Sequence, residues 1–225
     1  MTDFLVLRLD GVMQAWGDHT YEDYRPVVNF PTRSGLLGLL AACLGIDRVD
    51  IEQLKQLDSS VEFTVRVDNQ RHAKGHPLRV HKINDFHTVL AARKVNGKSN
   101  DNPVVSRREY LCDTVFTVVI GAHPQPSISL ERLKEAVNRP IYTPFLGRRS
   151  CPLSRPLFLA WMKADSSQAV LAQLEPVGGR IYSESFDAEQ KNVQMRVRDV
   201  PLRGQTRRFS SRQMAIHKEI KHVSQ

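Results

Sequence analysis

The chain has 225 residues, of which 41% are hydrophobic, and this length is enough to bury a substantial core. It contains no run of about 18 apolar residues and no signal-peptide pattern, so we expect a cytoplasmic protein that does not contact a membrane. Its three cysteines are widely spaced without a C-x-x-C pair, which argues against a disulfide framework and a zinc site. The net charge of +8 favours a negatively charged partner.

The positive charge is unevenly distributed along the chain. Residues 69–110 carry nine basic and three acidic side chains, and residues 140–225 carry fourteen and seven, whereas residues 1–68 are net acidic. Clustered lysine and arginine bind phosphate backbones because binding releases condensed counterions. The distribution therefore favours a polyanion as the partner, and the alternative is a generic soluble surface with excess basic residues.

The first predicted element is a strand over residues 4–9, where leucine alternates with other side chains. A helix is predicted over residues 33–44, with Thr32 or Ser34 as its N-terminal cap. Arg33 and Ser34 stand beside the unpaired N–H groups of its first turn, an arrangement that suits a phosphate. The alternative is a buried core helix whose arginine contacts only solvent.

The remaining elements complete a β-α-β-β-α-β order. They are a short helix that starts at a capping box of Asp50 and Gln53, strands over residues 61–67 and 114–120, a helix over residues 129–138, and a strand over residues 157–161. This is the order of the ferredoxin-like unit, an α+β fold with an antiparallel sheet and both helices on one face. The other face of the sheet is expected to stay free for binding.

Two segments lie outside this unit and define the domain organisation. Residues 69–110 are an insertion between the second and third strands, too long for a plain hairpin loop and therefore expected to be functional. Residues 162–225 are a small β-rich extension that begins with a short helix. Its strand over residues 193–198 has two arginines on one face. The predicted domains are 1–161, with the insertion, and 162–225.

The insertion contains half of the eight histidines of the chain. These are His72, His76, His81 and His87. They could be metal ligands, general acid or base groups, or hydrogen-bonding residues in a basic arm. Their spacing matches no zinc template, which disfavours a metal site. Phe86 and Tyr110 interleave with the basic residues, a pattern typical of a loop that binds single-stranded nucleic acid, and the alternative is a solvated loop.

A second loop, over residues 142–152, combines Gly147 with Arg148, Arg149 and Ser150. Glycine allows close backbone approach, and two arginines beside a hydroxyl suit a phosphate. The G-x-x-x-x-G-K-[ST] spacing is absent from the whole chain, so the sequence gives no support for nucleotide hydrolysis.

Four separated segments together resemble one protein family. They are QAWG at residues 14–17, FPTRSGLLG at 30–38, REYLCD at 108–113 and YTPFLGRRSCPL at 142–153. In these segments the chain is similar to the Cas5 family, the RAMP-type subunits of type I-E CRISPR Cascade complexes, and the similarity is weakest in residues 69–107. The resemblance implies an RNA-binding ferredoxin-like fold whose protruding thumb would be the 69–110 insertion.

The resemblance also implies a function. Members of the family hold the 5′ handle of the CRISPR guide RNA, cap one end of the backbone filament and dock the large subunit, in antiviral defence. The implied partners are guide RNA, CasC-type backbone subunits, a CasA-type large subunit and, through the complex, target DNA. No cofactor, metal or catalytic residue is expected. The residues carried over as RNA-binding are Arg33, Ser34, Arg107, Arg108, Tyr110, Tyr142, Arg148, Arg149, Ser150, Trp16 and His87, although aromatic residues more often belong to a core.

The rival interpretation is an enzyme. Relatives of type I-C cleave precursor RNA without a metal, using Tyr, Lys and His to promote attack by the 2′-hydroxyl. The position of their tyrosine falls within residues 28–30 of this chain, which contain no phenol. Replacements could come from Tyr21, Tyr24, His81, Lys82 and His87. No pattern places these together, so the non-catalytic interpretation is favoured, and a DNA-binding regulator is disfavoured because no helix-turn-helix pattern occurs.

Overall fold

The computed structural model describes residues 1–68, 80–94, 96–176, 178–185, 193–204 and 208–217. No helix among these residues is long and apolar enough to cross a membrane. In chain order the elements are β1 (Thr2–Asp10), β2 (Met13–Gln14), β3 (Tyr24–Arg25), α1 (Arg33–Leu44), α2 (Ile51–Ser60), β4 (Val61–Asp68), β5 (His81–Val89), β6 (Val104–Cys112), β7 (Val115–Ala122), α3 (Leu130–Asn138), β8 (Phe158–Ala164), α4 (Ser167–Ala172), β9 (Gly179–Ser183), β10 (Val193–Pro201) and β11 (Phe209–His217).

The larger of two sheets has the strand order β10-β11-β9-β4-β7-β1-β8, and its neighbouring strands are antiparallel. The four strands predicted from the sequence correspond to β1, β4, β7 and β8, which lie side by side in it. Strand β7 is almost fully buried between β4 and β1, as its nearly continuous apolar sequence indicates.

Helices α1 and α3 pack together on one side of this sheet, over a core that includes Leu7 and Phe116. Helix α1 begins where the Thr32 hydroxyl accepts the N–H of Gly35. It ends at Gly45, whose φ of 72° is the left-handed conformation that glycine favours. The bounds of α1 and its cap at Thr32 are therefore as the sequence predicts.

The opposite face is also covered, which corrects the expectation that it stays free for binding. Helix α4 packs there against β4, β7 and β8 and closes a second apolar core that includes Val6 and Leu171. Arg66, which is fully buried, donates to Asp68 at 2.7 Å and to the carbonyl oxygens of Leu171 and Leu174. This arginine therefore ties the C-terminal end of α4 to the sheet.

The described part of the 69–110 insertion contains a long β-hairpin. Strands β5 and β6 pair antiparallel over their whole length, and β6 also pairs with β2 and, in parallel, with β3 to form the second sheet. Because β5 is exposed along almost all of its length, no one-sided burial pattern marks it as a strand. Residues 69–79, with His72 and His76, lie outside the described residues.

The C-terminal strands β9, β11 and β10 extend the larger sheet beyond β4. The strand predicted over residues 193–198 is the first part of β10, and the short helix predicted at the start of the extension is α4. The division into domains 1–161 and 162–225 stays a prediction.

A buried network of ion pairs joins the C-terminal strands to α1. Glu184 accepts hydrogen bonds from Nη1 of Arg33 and Nη1 of Arg212, both at 2.6 Å. Arg212 also donates to both carboxylate oxygens of Asp199, and Asp199 accepts the backbone N–H of Arg33 at 2.7 Å. Arg33 completes the network through Asp58, with Nη2 at 2.7 Å from the carboxylate. Charges from α1, α2 and the C-terminal strands therefore neutralise one another.

We expect the substitution Glu184→Ala to lower the free energy of unfolding by about 2–3 kcal/mol, because it removes two buried charge-assisted hydrogen bonds, while Arg33 keeps Asp58 and Arg212 keeps Asp199. Here two guanidinium groups, those of Arg33 and Arg212, lose their shared carboxylate. Urea denaturation at neutral pH measures the loss. The control is Glu135→Ala, which removes an exposed carboxylate on α3. A loss below about 1 kcal/mol for Glu184→Ala would contradict the importance of the network.

Candidate nucleic-acid interface

The base of hairpin β5–β6 is fixed by the carboxylate of Glu109. This carboxylate accepts hydrogen bonds from the hydroxyl of Tyr24 and from the backbone N–H of Val27, and the ammonium group of Lys82 lies 3.5 Å from it. Lys82 also donates to the carbonyl oxygen of Val27 at 2.7 Å. Burial alone would raise the pKa of Glu109, but these donors outweigh it and hold the pKa below its usual value. The hairpin is thereby tied to the segment that contains β3.

Arg148 fixes the loop over residues 142–152 to the same hairpin. Its Nη1 donates to the carbonyl oxygen of Glu109 at 2.8 Å, and its Nη2 donates to that of Arg25 at 3.1 Å. Its guanidinium carbon lies 4.6 Å from the centre of the Tyr110 ring, in cation–π geometry. The side chain of Arg148 therefore contacts the protein on three sides.

Several predicted residues meet on the hairpin face that this loop covers. Tyr110 is 2% exposed, and its hydroxyl lies 3.3 Å from Nε2 of His87, which also lies 2.7 Å from the carboxylate of Asp85. Arg108 projects from the same face, is half-buried, and donates through Nε to the hydroxyl of Ser106 at 3.0 Å. Side chains able to contact a phosphate are thus placed around a buried tyrosine.

The loop itself exposes further groups. Gly147 has a φ of 87°, and a side chain there would collide with the carbonyl oxygen of Ala15, so only glycine allows this close approach. Arg149 and Ser150 follow and are exposed, and Tyr142 is 52% exposed. Arg149 and Ser150 directly follow Arg148 and are accessible to a ligand beside the hairpin base, whereas Tyr142 lies at the C-terminal end of α1, where its backbone N–H donates to the carbonyl oxygen of Ala42.

The opposite face of the hairpin carries Arg107 and Phe86, which are direct cross-strand neighbours. Both are exposed, and the Phe86 ring is 63% exposed. A guanidinium beside an accessible ring can bind a phosphate and stack on the adjacent base. The hairpin therefore has potential nucleic-acid contacts on both faces.

The chain is similar to known proteins over nearly its whole length. Residues 4–216 match the model of the family described as CRISPR-associated protein (Cas_Cas5). The chain belongs to the Cas5 family. The CRISPR system Cascade subunit CasD of Escherichia coli (strain K12) is 45% identical over 226 residues, with 100% of both chains covered.

Two solved structures are similar to this Cas5-family chain. A chain of a CRISPR RNA-guided surveillance complex has a TM-score of 0.73 and 28% identity, covering 96% of this chain and 90% of its own length. A second chain, described as a crystal structure of Cas protein, has a TM-score of 0.64 and 27% identity, with 95% and 93% covered. The mixed α/β fold with antiparallel sheets is shared with these structures, and the resemblance found in the sequence is confirmed.

Three predicted residues lie away from the hairpin base, in or beside the core. Trp16 is fully buried and donates through Nε1 to Gln14, so its ring has no face for a base to stack on. The guanidinium of Arg33 is held by carboxylates, and the N–H at the start of α1 is bound by Asp199. The N-terminus of α1 is therefore occupied by a carboxylate of the chain itself, which disfavours a phosphate contact of Arg33, and the role of Ser34 stays a prediction.

No sequence pattern predicts that Glu109, Tyr24 and Lys82 fix the hairpin. The available signal was a single glutamate inside the basic segment around Arg107 and Arg108. An isolated acid among basic residues can form an internal ion pair or stay solvated, and the sequence pattern does not distinguish the two. Among the described residues, no group of three or more His, Cys, Asp or Glu side chains is placed to hold one metal ion.

We expect Arg148→Ala to loosen the hairpin base, because it removes two hydrogen bonds to backbone carbonyls and a cation–π contact. Hydrogen exchange of the amides in β6 and at the start of β5, next to the hairpin base, should accelerate by about tenfold. Arg149→Ala is the matched control, since it removes the adjacent but exposed arginine and should leave exchange unchanged. Equal exchange in both variants would show that Arg148 does not fix the hairpin.

Proposed function

We propose that the chain is a non-catalytic RNA-binding subunit of a type I-E Cascade surveillance complex, which holds the 5′ handle of the guide RNA and caps the backbone filament. The observation that carries this proposal is the hairpin β5–β6, with a base fixed by Glu109 and Arg148 and with cations and rings exposed around it. The full-length relative is named as a Cascade subunit, and a similar solved chain belongs to an RNA-guided complex.

The geometry suits a bent single strand of RNA better than a duplex. Arg108 and Arg149 lie around the hairpin base, and Arg107 lies on the opposite face. Charge-assisted hydrogen bonds from arginine would hold phosphates, while the exposed rings of Phe86 and Tyr142 offer surfaces for unstacked bases. We assign Tyr110 and Arg148 to positioning, because the first is buried and the second is engaged with the protein.

We interpret strands β1, β4, β7 and β8 with helices α1 and α3 as a ferredoxin-like unit. The order β4-β7-β1-β8, with antiparallel neighbours, is the order such a unit requires, and it supports this interpretation. The β5–β6 hairpin would then be the thumb inserted between the second and third strands of the unit. The CasC-type and CasA-type partners, the target DNA reached through them, and a cytoplasmic location belong to the same proposal.

The enzymatic alternative is less well supported by the surroundings of Tyr24. Tyr24 and Lys82 do meet at one site, but both are bound to the carboxylate of Glu109. The hydrogen bond to this carboxylate is the main factor that raises the pKa of Tyr24, and burial and the negative charge act in the same direction. A tyrosine with a raised pKa is a weaker candidate for removing a proton from a 2′-hydroxyl.

Binding of a labelled repeat RNA that contains the handle tests the proposal. The purified chain should bind with an affinity that falls steeply with salt. Arg149→Ala should weaken binding about tenfold or more and reduce the slope of log affinity against log salt by about 0.7, because one phosphate contact is lost. Fluorescence anisotropy over a series of salt concentrations measures both quantities.

The control is Arg132→Ala, which removes an exposed arginine near the start of α3 and should leave binding unchanged. The same RNA, recovered after incubation, should remain intact on a denaturing gel. Affinity that does not depend on salt would contradict the proposal. A specific cut that disappears in Tyr24→Phe would favour the enzyme.

A further inference from the structure

The outer face of hairpin β10–β11 combines strong positive charge with exposure. Strand β10 forms the edge of the larger sheet and pairs there with β11. Met195 and Val197 point toward the main core. The alternate residues Arg196 and Arg198 are exposed on the other face, which is the face that α4 covers over β4, β7 and β8. Hairpin β10–β11 thus continues this face of the sheet into a region that α4 does not cover.

Glutamine side chains flank the two arginines. Gln213 is the direct cross-strand neighbour of Arg196, and Gln194 lies two residues before Arg196 on the same face. Both glutamines are exposed. Arg198 donates through Nε to the carbonyl oxygen of Phe209 at 3.1 Å, which orients its guanidinium group along the hairpin. The strip therefore offers several N–H donors toward solvent.

The carboxylates of these strands do not neutralise the strip. Asp199 and Glu184 are directed inward, where Arg33 and Arg212 bind them. Among the described residues, no carboxylate lies within 4.0 Å of the guanidinium groups of Arg196 or Arg198. The internal network thus keeps negative charge away from the outer face.

We propose that Arg196, Arg198, Gln194 and Gln213 form a binding strip for the phosphodiester backbone of a single nucleic-acid strand, separate from the interface at hairpin β5–β6. Alternate residues on a regular strand are spaced by about 6.6 Å, which is comparable to the separation of successive phosphates along an extended strand, and the pairing of β10 with β11 shifts in register only after Val197. Arginine binds phosphate through paired, charge-assisted hydrogen bonds, and the glutamine amides add neutral donors. No aromatic ring belongs to the strip, so its binding does not depend on base sequence.

Protection of the sheet edge is the competing explanation for the two arginines. Charged side chains on an edge strand prevent pairing with other chains, and their removal then causes aggregation without any specific loss of nucleic-acid binding. The two explanations therefore predict different behaviour of the same variant.

The test uses the full chain and two fluorescent 15-residue homopolymers, oligo(dT) and oligo(U), which lack the handle sequence. Arg196→Ala/Arg198→Ala should lower affinity about tenfold or more and reduce the salt slope by about 1.4, because two phosphate contacts are lost. A loss of affinity for both oligomers supports recognition of the backbone that DNA and RNA share. A loss of affinity for only one oligomer shows whether DNA or RNA is the ligand. Arg196→Lys/Arg198→Lys should recover part of the affinity that the alanine variant loses, because lysine keeps the charge but cannot form the paired hydrogen bonds of arginine.

The matched control is Arg132→Ala/Arg139→Ala, which removes the same net charge from exposed positions at α3. An equal loss in this control would overturn the proposal, because binding would then depend on net charge alone. Unchanged affinity in the alanine variant of the strip, with or without aggregation measured by light scattering, would also overturn it. Because these oligomers lack the handle, failure here is distinguishable from failure of the proposed function, which is tested with handle RNA.

Discussion

The ion-pair network around Glu184 is the constraint on which the arrangement of the molecule depends. It joins the first turn of α1, the end of α2 and the C-terminal strands, through five charged side chains that are mostly buried. Burying charges is expensive, and a buried ion pair is not by itself strong evidence of stability. Its consequence here is geometric, because the carboxylates are satisfied only when β10–β11 lies against α1.

The same network determines which surfaces carry charge. Arg33 and Arg212 neutralise the inward carboxylates, so among the described residues the arginines on the outer face of β10–β11 have no carboxylate partner. At the base of hairpin β5–β6, the side chains of Glu109 and Arg148 are likewise engaged with the protein, whereas Arg149 and Arg107 are exposed. In both places internal charges hold the backbone, and their exposed neighbours along the chain are available for a ligand. Position along the chain alone does not distinguish the two roles.

The sequence predicts the central elements well because their burial is one-sided or complete. Strand β4 alternates apolar and polar residues, β7 is continuously apolar, and α1 has a capping threonine and a terminal glycine. The β5–β6 hairpin could not be predicted, because exposed strands lack such a pattern. The role of Arg33 could not be predicted either, since Asp199, which occupies the helix N-terminus, is 166 residues away along the chain. Arg148 and Arg149 are adjacent and identical in type, and only their packing separates a positioning residue from an exposed one.

The most direct test of the central claim is to find where the handle of a guide RNA touches this chain in an assembled complex. The chain would be co-expressed with its backbone subunits and a guide RNA, 4-thiouridine would be placed in the handle, and cross-linked peptides would be identified by mass spectrometry. We expect cross-links within hairpin β5–β6 and the loop over residues 142–152, where Phe86 and Tyr142 are exposed. Handle cross-links confined to other parts of the chain, or a complex that holds guide RNA without any cross-link to this chain, would contradict the claim.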